Sequence, residues 1–145
     1  AFETYYFNEE KMAQEVVQVQ IPEPLKRHLI LEAEVYQAED QAKIARSQKD
    51  KVFRKILREK QLTKQYRELR AKLRELRKKD LINDKNARAK YSRVAFEILK
   101  IKAEVVKEKE YIEASEVLRE KSKEFRAKFR ELRKDFEVSI KPFYL

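Results

Sequence analysis

The 145 residues carry 36 Lys and Arg against 26 Asp and Glu, a formal net charge of +10, and contain no glycine and no cysteine. Without glycine, the positive-φ turns of a sheet fold, Gly-rich phosphate loops and dinucleotide fingerprints are excluded; without cysteine, so are disulfides, thiolate nucleophiles and cysteine-bearing zinc sites. High charge would also suit a disordered chain, but aliphatic and aromatic residues recur at helical spacing almost throughout, which predicts an all-α chain with very few connections.

In chain order, residues 1–24 form an aromatic-rich, mildly acidic lead-in that begins with Ala1 instead of Met, as in a processed product or part of a longer one. Pro22 and Pro24 predict extended backbone as far as Leu25. A breaker-free run occupies residues 25–80; a break within it, if there is one, belongs at residues 47–51, where the apolar spacing is weakest. Residues 81–86 follow, in the stretch "DLINDKNA", whose Asp80, Asn83, Asp84 and Asn86 form the interior's cluster of turn and N-cap residues and predict the reversal. The second run covers residues 87–137, and an aromatic tail, residues 138–145, contains Pro142. Two runs of about 50 residues at 1.5 Å per residue reach on the order of 80 Å, well beyond an ordinary globular helix. The expected fold is a long antiparallel coiled-coil helical hairpin with extended aromatic N- and C-terminal tails. No stretch approaches the roughly 18 consecutive apolar residues of a membrane span.

The words "RAKLRELRK" (70–78) and "RAKFRELRK" (126–134) differ only at Leu73 and Phe129 and are separated by a whole number of heptads. Around the first, Leu62, Tyr66, Leu69, Leu73 and Leu76 alternate steps of four and three; around the second, Leu118, Ser122, Phe125, Phe129, Leu132 and Phe136 do the same. Val94, Ile98, Ile101 and Val105 form a further seam. Leu73 and Phe129 are expected to be buried, and Arg74 and Arg130 beside them exposed. With the chain folded back at 81–86, the first word faces residues 88–96. The second faces residues 32–40, where Glu32, Glu34, Glu39 and Asp40 supply the opposite charge.

Residues 49–93 hold 18 basic and 6 acidic side chains, so the positive excess of the chain is concentrated there, at the expected hairpin tip. Arginine offers planar bidentate donors to phosphate, which makes Arg54, Arg58, Arg67, Arg70, Arg74, Arg77, Lys78 and Arg88 the candidate RNA-binding residues, in contact with the backbone and not with base sequence. An acidic protein surface or anionic lipid heads would attract the same stripe. At the other end, Phe2, Tyr5, Tyr6, Phe7, Phe143 and Tyr144 fall outside the helical runs and are candidate anchors for neighbouring protein subunits.

His28 is the single histidine; on the first turn of the long run it is expected to be exposed or packed at an edge. With no second histidine, thiol or oxyanion loop to work with it, neither catalysis, a metal, a cofactor nor a small-molecule substrate is expected. Locally, "EYIEASEVLREKSKEF" (110–125) resembles the second half of the UVR motif of bacterial excision-repair proteins through Tyr111, Ala114, Leu118 and Arg119, with Ala114 and Ser115 in place of that family's paired alanines. The resemblance covers 16 residues and implies no function. The sequence thus points to a non-enzymatic structural subunit of a large ribonucleoprotein such as a ribosome or mitochondrial ribosome, in a cytoplasmic or mitochondrial setting. The alternative is a coiled-coil scaffold or adaptor, cytoskeletal or other, without nucleic acid.

Overall fold

The structure, a computed structural model, describes residues 21–144. Those residues are helical with short interruptions and include no strand: α1 (Glu23–Glu59), α2 (Thr63–Arg77), α3 (Lys85–Val106) and α4 (Lys109–Asp135), then a π-helical turn (Phe136–Ile140) and a 3₁₀ turn (Lys141–Tyr144). Among the described residues no helix is long and apolar enough to cross a membrane. The chain divides into two compact units, one made of residues 42–121 and the other of the flanking segments.

Helix α1 starts before Leu25. Pro24 lies in its first turn, where a missing N–H leaves no intrahelical bond unmade, and Lys26 N–H already donates to Pro22 C=O at 3.1 Å. The break considered at residues 47–51 is absent. Buried or half-buried positions run through it without pause as His28, Leu31, Val35, Ala38, Ala42, Ala45, Lys49, Val52 and Ile56, alternating steps of three and four. The small and charged members of this series hide the seam from an apolar count, and Lys49 fills its place by laying its ammonium 5.3 Å from the centre of the Tyr111 ring.

The helix is interrupted instead at residues 60–62. Gln61 adopts φ 60°, Leu62 N–H donates to Leu57 C=O at 2.8 Å and Gln61 N–H to Arg58 C=O at 3.1 Å. This is a Schellman cap with glutamine in the left-handed position usually given to glycine. The second helical run is also interrupted, at residues 107–108, where Glu108 N–H reaches only to Val105 C=O at 3.1 Å. Lys60, beside the first interruption, reaches Glu108 at 2.8 Å and Glu104 at 3.8 Å.

In the unit of residues 42–121, Val52, Ile56, Leu57, Ile101 and Val105 form the core, and Phe53, Leu62, Tyr66, Leu69, Tyr111 and Ala114 close around it. All four helices contribute. Long-range pairs tie the first helical run to the second: Lys55 meets Glu110 at 3.1 Å and Lys60 meets Glu104 at 3.8 Å. Leu73 and Leu76 of the first nine-residue word are buried, as are Ile98, Ile101 and Val105. The connection between α2 and α3 occupies residues 78–84. Asp80 accepts from the Asn83 side-chain amide at 2.9 Å and from its backbone N–H at 3.3 Å, which holds the Asp80 carboxyl below its ordinary range. Asp84 caps α3 by accepting from Asn86 and Ala87 N–H at 3.1 and 3.0 Å.

In the unit of residues 21–41 and 122–144, Lys128 of the second word donates to Glu34 at 3.0 Å, a pair of the kind expected between that word and residues 32–40. Closer to the chain ends, His28 Nδ1 lies 2.9 Å from an Asp135 carboxylate oxygen, and its ring tilts 5.9 Å from that of Phe136. His28 is buried, contrary to the exposed or edge position expected of it, because the side chains of α4 and the π-helical turn close over the first turns of α1. Val35 and Ile140 are the buried aliphatics of this unit, and α4 has no buried residue. Phe129, expected in a buried seam, is 43% exposed, since two helical segments cover only one side of a ring that size. The C-terminal tail is not extended: helix continues to Asp135 and passes into the π and 3₁₀ turns.

Candidate functional site

The interruption at residues 60–62 changes what two helices can share. The last turns of α1 and the first of α2 meet around a cleft of about 330 Å³ lined by Asp50, Phe53, Arg54, Leu57 and Arg58 from α1 and by Thr63, Tyr66, Arg67 and Arg70 from α2. Two pairs of arginines spaced four and three apart therefore converge from different helices. None of the four has a hydrogen-bond or ion-pair partner among the described residues. All four are exposed along the same cleft, and each guanidinium is a ready bidentate donor to an oxyanion.

The floor of the cleft is aromatic, with Phe53 and Tyr66 edge-to-face at 5.4 Å. Helix α2 begins at Thr63 with no side-chain cap, so its first N–H groups lack the usual side-chain acceptor. The Thr63 hydroxyl is buried without a partner. Asp50 is the one carboxylate of the lining and lowers the local positive potential.

A second basic groove of about 630 Å³ lies between α2 and α3, where Lys72, Lys79, Lys90 and Arg93 surround Leu76 and Val94, with Glu75 as the acid. None of these four cations was singled out in the sequence, although the fold-back register that sets the first word against residues 88–96 already placed Lys72 opposite the stretch that holds Lys90 and Arg93. The structure thus gathers Arg54, Arg58, Arg67 and Arg70 of the sequence candidates into one cleft and leaves the other four outside both clefts. Arg74 and Arg77 are exposed on α2, Lys78 is engaged with Glu75 at 3.2 Å, and Arg88 donates to Ile82 C=O across the turn at 3.3 Å.

No protein-family model, curated protein or solved structure matches the chain. The likeness of residues 110–125 to the excision-repair motif gains no support from those comparisons, and that segment is one unbroken stretch of α4. Of the aromatic docking candidates, Phe143 and Tyr144 are 62% and 78% exposed; Phe2, Tyr5, Tyr6 and Phe7 lie outside the described residues. Among those residues no group of three or more His, Asp or Glu side chains could hold a metal ion.

Proposed function

We propose that the chain is a long antiparallel coiled-coil hairpin that serves, without catalysis, as a structural subunit of a large ribonucleoprotein of the ribosomal or mitochondrial-ribosomal kind. Its basic end lies on RNA phosphates and its aromatic termini dock on neighbouring protein subunits. The observation that carries this reading is the convergence of Arg54, Arg58, Arg67 and Arg70, unpaired among the described residues, on one cleft. Four unpaired guanidiniums on one cleft attract an anionic partner, and phosphates spaced along an RNA strand are such a partner.

Binding through these groups is nearly independent of sequence and weakens steeply with salt, because each phosphate contact releases counterions. An anisotropy titration of a structured RNA across salt concentration tests it. Changing the four cleft arginines together to Gln removes four charges at little cost in helix propensity and flattens the salt slope by up to about one unit per lost contact. The matching change at Arg126, Arg130 and Arg133 has the smaller effect. Equal slopes for the two variants, or no binding by the wild type at low salt, refute the RNA reading.

The scaffold reading is favoured by one separate observation, the exposed apolar side chains of the unit of residues 21–41 and 122–144. Tyr36 is 59% and Val138 70% exposed there. Under that reading the same cleft receives carboxylates of an acidic protein surface.

A further inference from the structure

Helix α3 is apolar on two faces. One face, Ala87, Tyr91, Val94, Ile98, Ile101 and Val105, is buried or half-buried against the other helices of its unit. The second is formed by Ala89, Ser92, Phe96, Leu99, Ala103 and Val106, which alternate steps of three and four over the whole helix and are all exposed, Phe96 to 58%, Leu99 to 60% and Val106 to 45%. Phe96 and Leu99 form its large centre, with small side chains at Ala89, Ser92 and Ala103 on either side. A stripe of five consecutive steps of three and four is more order than scattered surface apolar residues possess.

The flanks say what fits this face. With the stripe at a and d, the e positions are Arg93, Lys100 and Lys107 and the g positions are Arg88, Ala95 and Lys102. Every flank is basic except Ala95. Glu97 and Glu104, one turn outside, partly neutralise Lys100 at 3.3 Å and Lys107 at 2.7 Å, whereas Arg93 and Lys102 have no partner among the described residues. Lys100 also lays its ammonium 4.8 Å from the centre of the Phe96 ring, which puts positive charge over the middle of the stripe.

A second copy of the chain brings Arg and Lys against Arg and Lys in either orientation, so self-pairing is opposed. An RNA strand would use the flanks and leave the apolar stripe wet. We infer that this face of α3 docks an amphipathic α-helix of a different protein, one with aliphatic residues at its a and d positions and glutamate or aspartate at e and g. The stripe buries the partner's apolar seam and the basic flanks select its orientation and identity.

The test uses the whole chain and a three-heptad synthetic peptide with Leu at a and d and Glu at e and g, labelled for anisotropy. A second peptide has Lys in place of every Glu. The acidic peptide binds and the basic one binds at least about tenfold more weakly. Phe96→Gln with Leu99→Gln, both at exposed positions and checked for retained helix by circular dichroism, weakens the acidic peptide by about tenfold or more. Val117→Gln, an exposed apolar position off the stripe, leaves it unchanged.

Equal binding by the double variant and the wild type overturns the inference, since attraction would then be charge alone. So does a homodimer in sedimentation equilibrium that the double variant dissolves, or an RNA oligonucleotide whose affinity falls with the double variant as much as the acidic peptide's.

Discussion

The two units contain nearly the same nine-residue word and treat it differently. In the unit of residues 42–121, the word at 70–78 buries Leu73 to 5% exposure and Leu76 to 9%. In the other unit, the word at 126–134 leaves Phe129 at 43% and Leu132 only half-buried. The difference is one of neighbours. Around residues 60–62 and 107–108 the interrupted helices let four segments enclose Val105 completely, while residues 21–41 and 122–144 have two helical segments and the closing turns with which to shield larger rings. A heptad pattern specifies which face is apolar; how much of that face leaves water depends on how many elements arrive to cover it.

The largest expected effect tests the enclosed core. Ile56→Ala, at a site 3% exposed, lowers unfolding free energy by about 2–5 kcal/mol, and Phe129→Ala lowers it by less than half as much despite removing a larger side chain. Urea denaturation of the two variants checks this, and equal losses would erase the contrast between the units.

Next comes the polar pair of the thinner unit. His28→Ala leaves the Asp135 carboxylate without the imidazole 2.9 Å away and costs about 1–3 kcal/mol. Local amide exchange in residues 21–41 and 122–144 reports the loss. If protection fell only in residues 42–121, the division into two units would be wrong.

Gln61→Gly acts in the opposite direction. A residue with a Cβ at φ 60° carries about 1 kcal/mol of strain that glycine relieves, partly offset by the freer unfolded chain. Thermal melting therefore moves up slightly, and a lower midpoint would show that the Gln61 side chain contributes something the backbone geometry does not reveal.

The smallest effect concerns the loop between α2 and α3. Hydrogen bonds from Asn83 hold the Asp80 carboxyl below its ordinary range, so their stabilisation is present at neutral pH and is lost as pH falls through the lowered value. Asn83→Ala is then slightly destabilising at pH 7, and its gap from wild type closes at strongly acid pH. A gap that widened on acidification would contradict the assignment of donor and acceptor.

Much of this molecule could be read from its residues. The absence of glycine and the breaker-free apolar periodicity determined an all-helical chain, and the Asp80–Asn86 cluster marked a helix end because carboxylate and amide side chains satisfy the helix-end N–H groups that a loop leaves open. The concentration of charge in residues 49–93 likewise follows from composition alone. The helix interruption at residues 60–62 could not be found this way: its left-handed residue is glutamine, which announces no cap, and it is held by long-range packing of Leu57 and Leu62 in the core. The convergence of four arginines depends on that interruption, so it too is a tertiary fact. The seam through Ala42, Ala45 and Lys49 was hidden for a related reason. Lys49 holds a half-buried seam position because the Tyr111 ring stands beside its ammonium, and a single stretch of sequence does not record what stands opposite it.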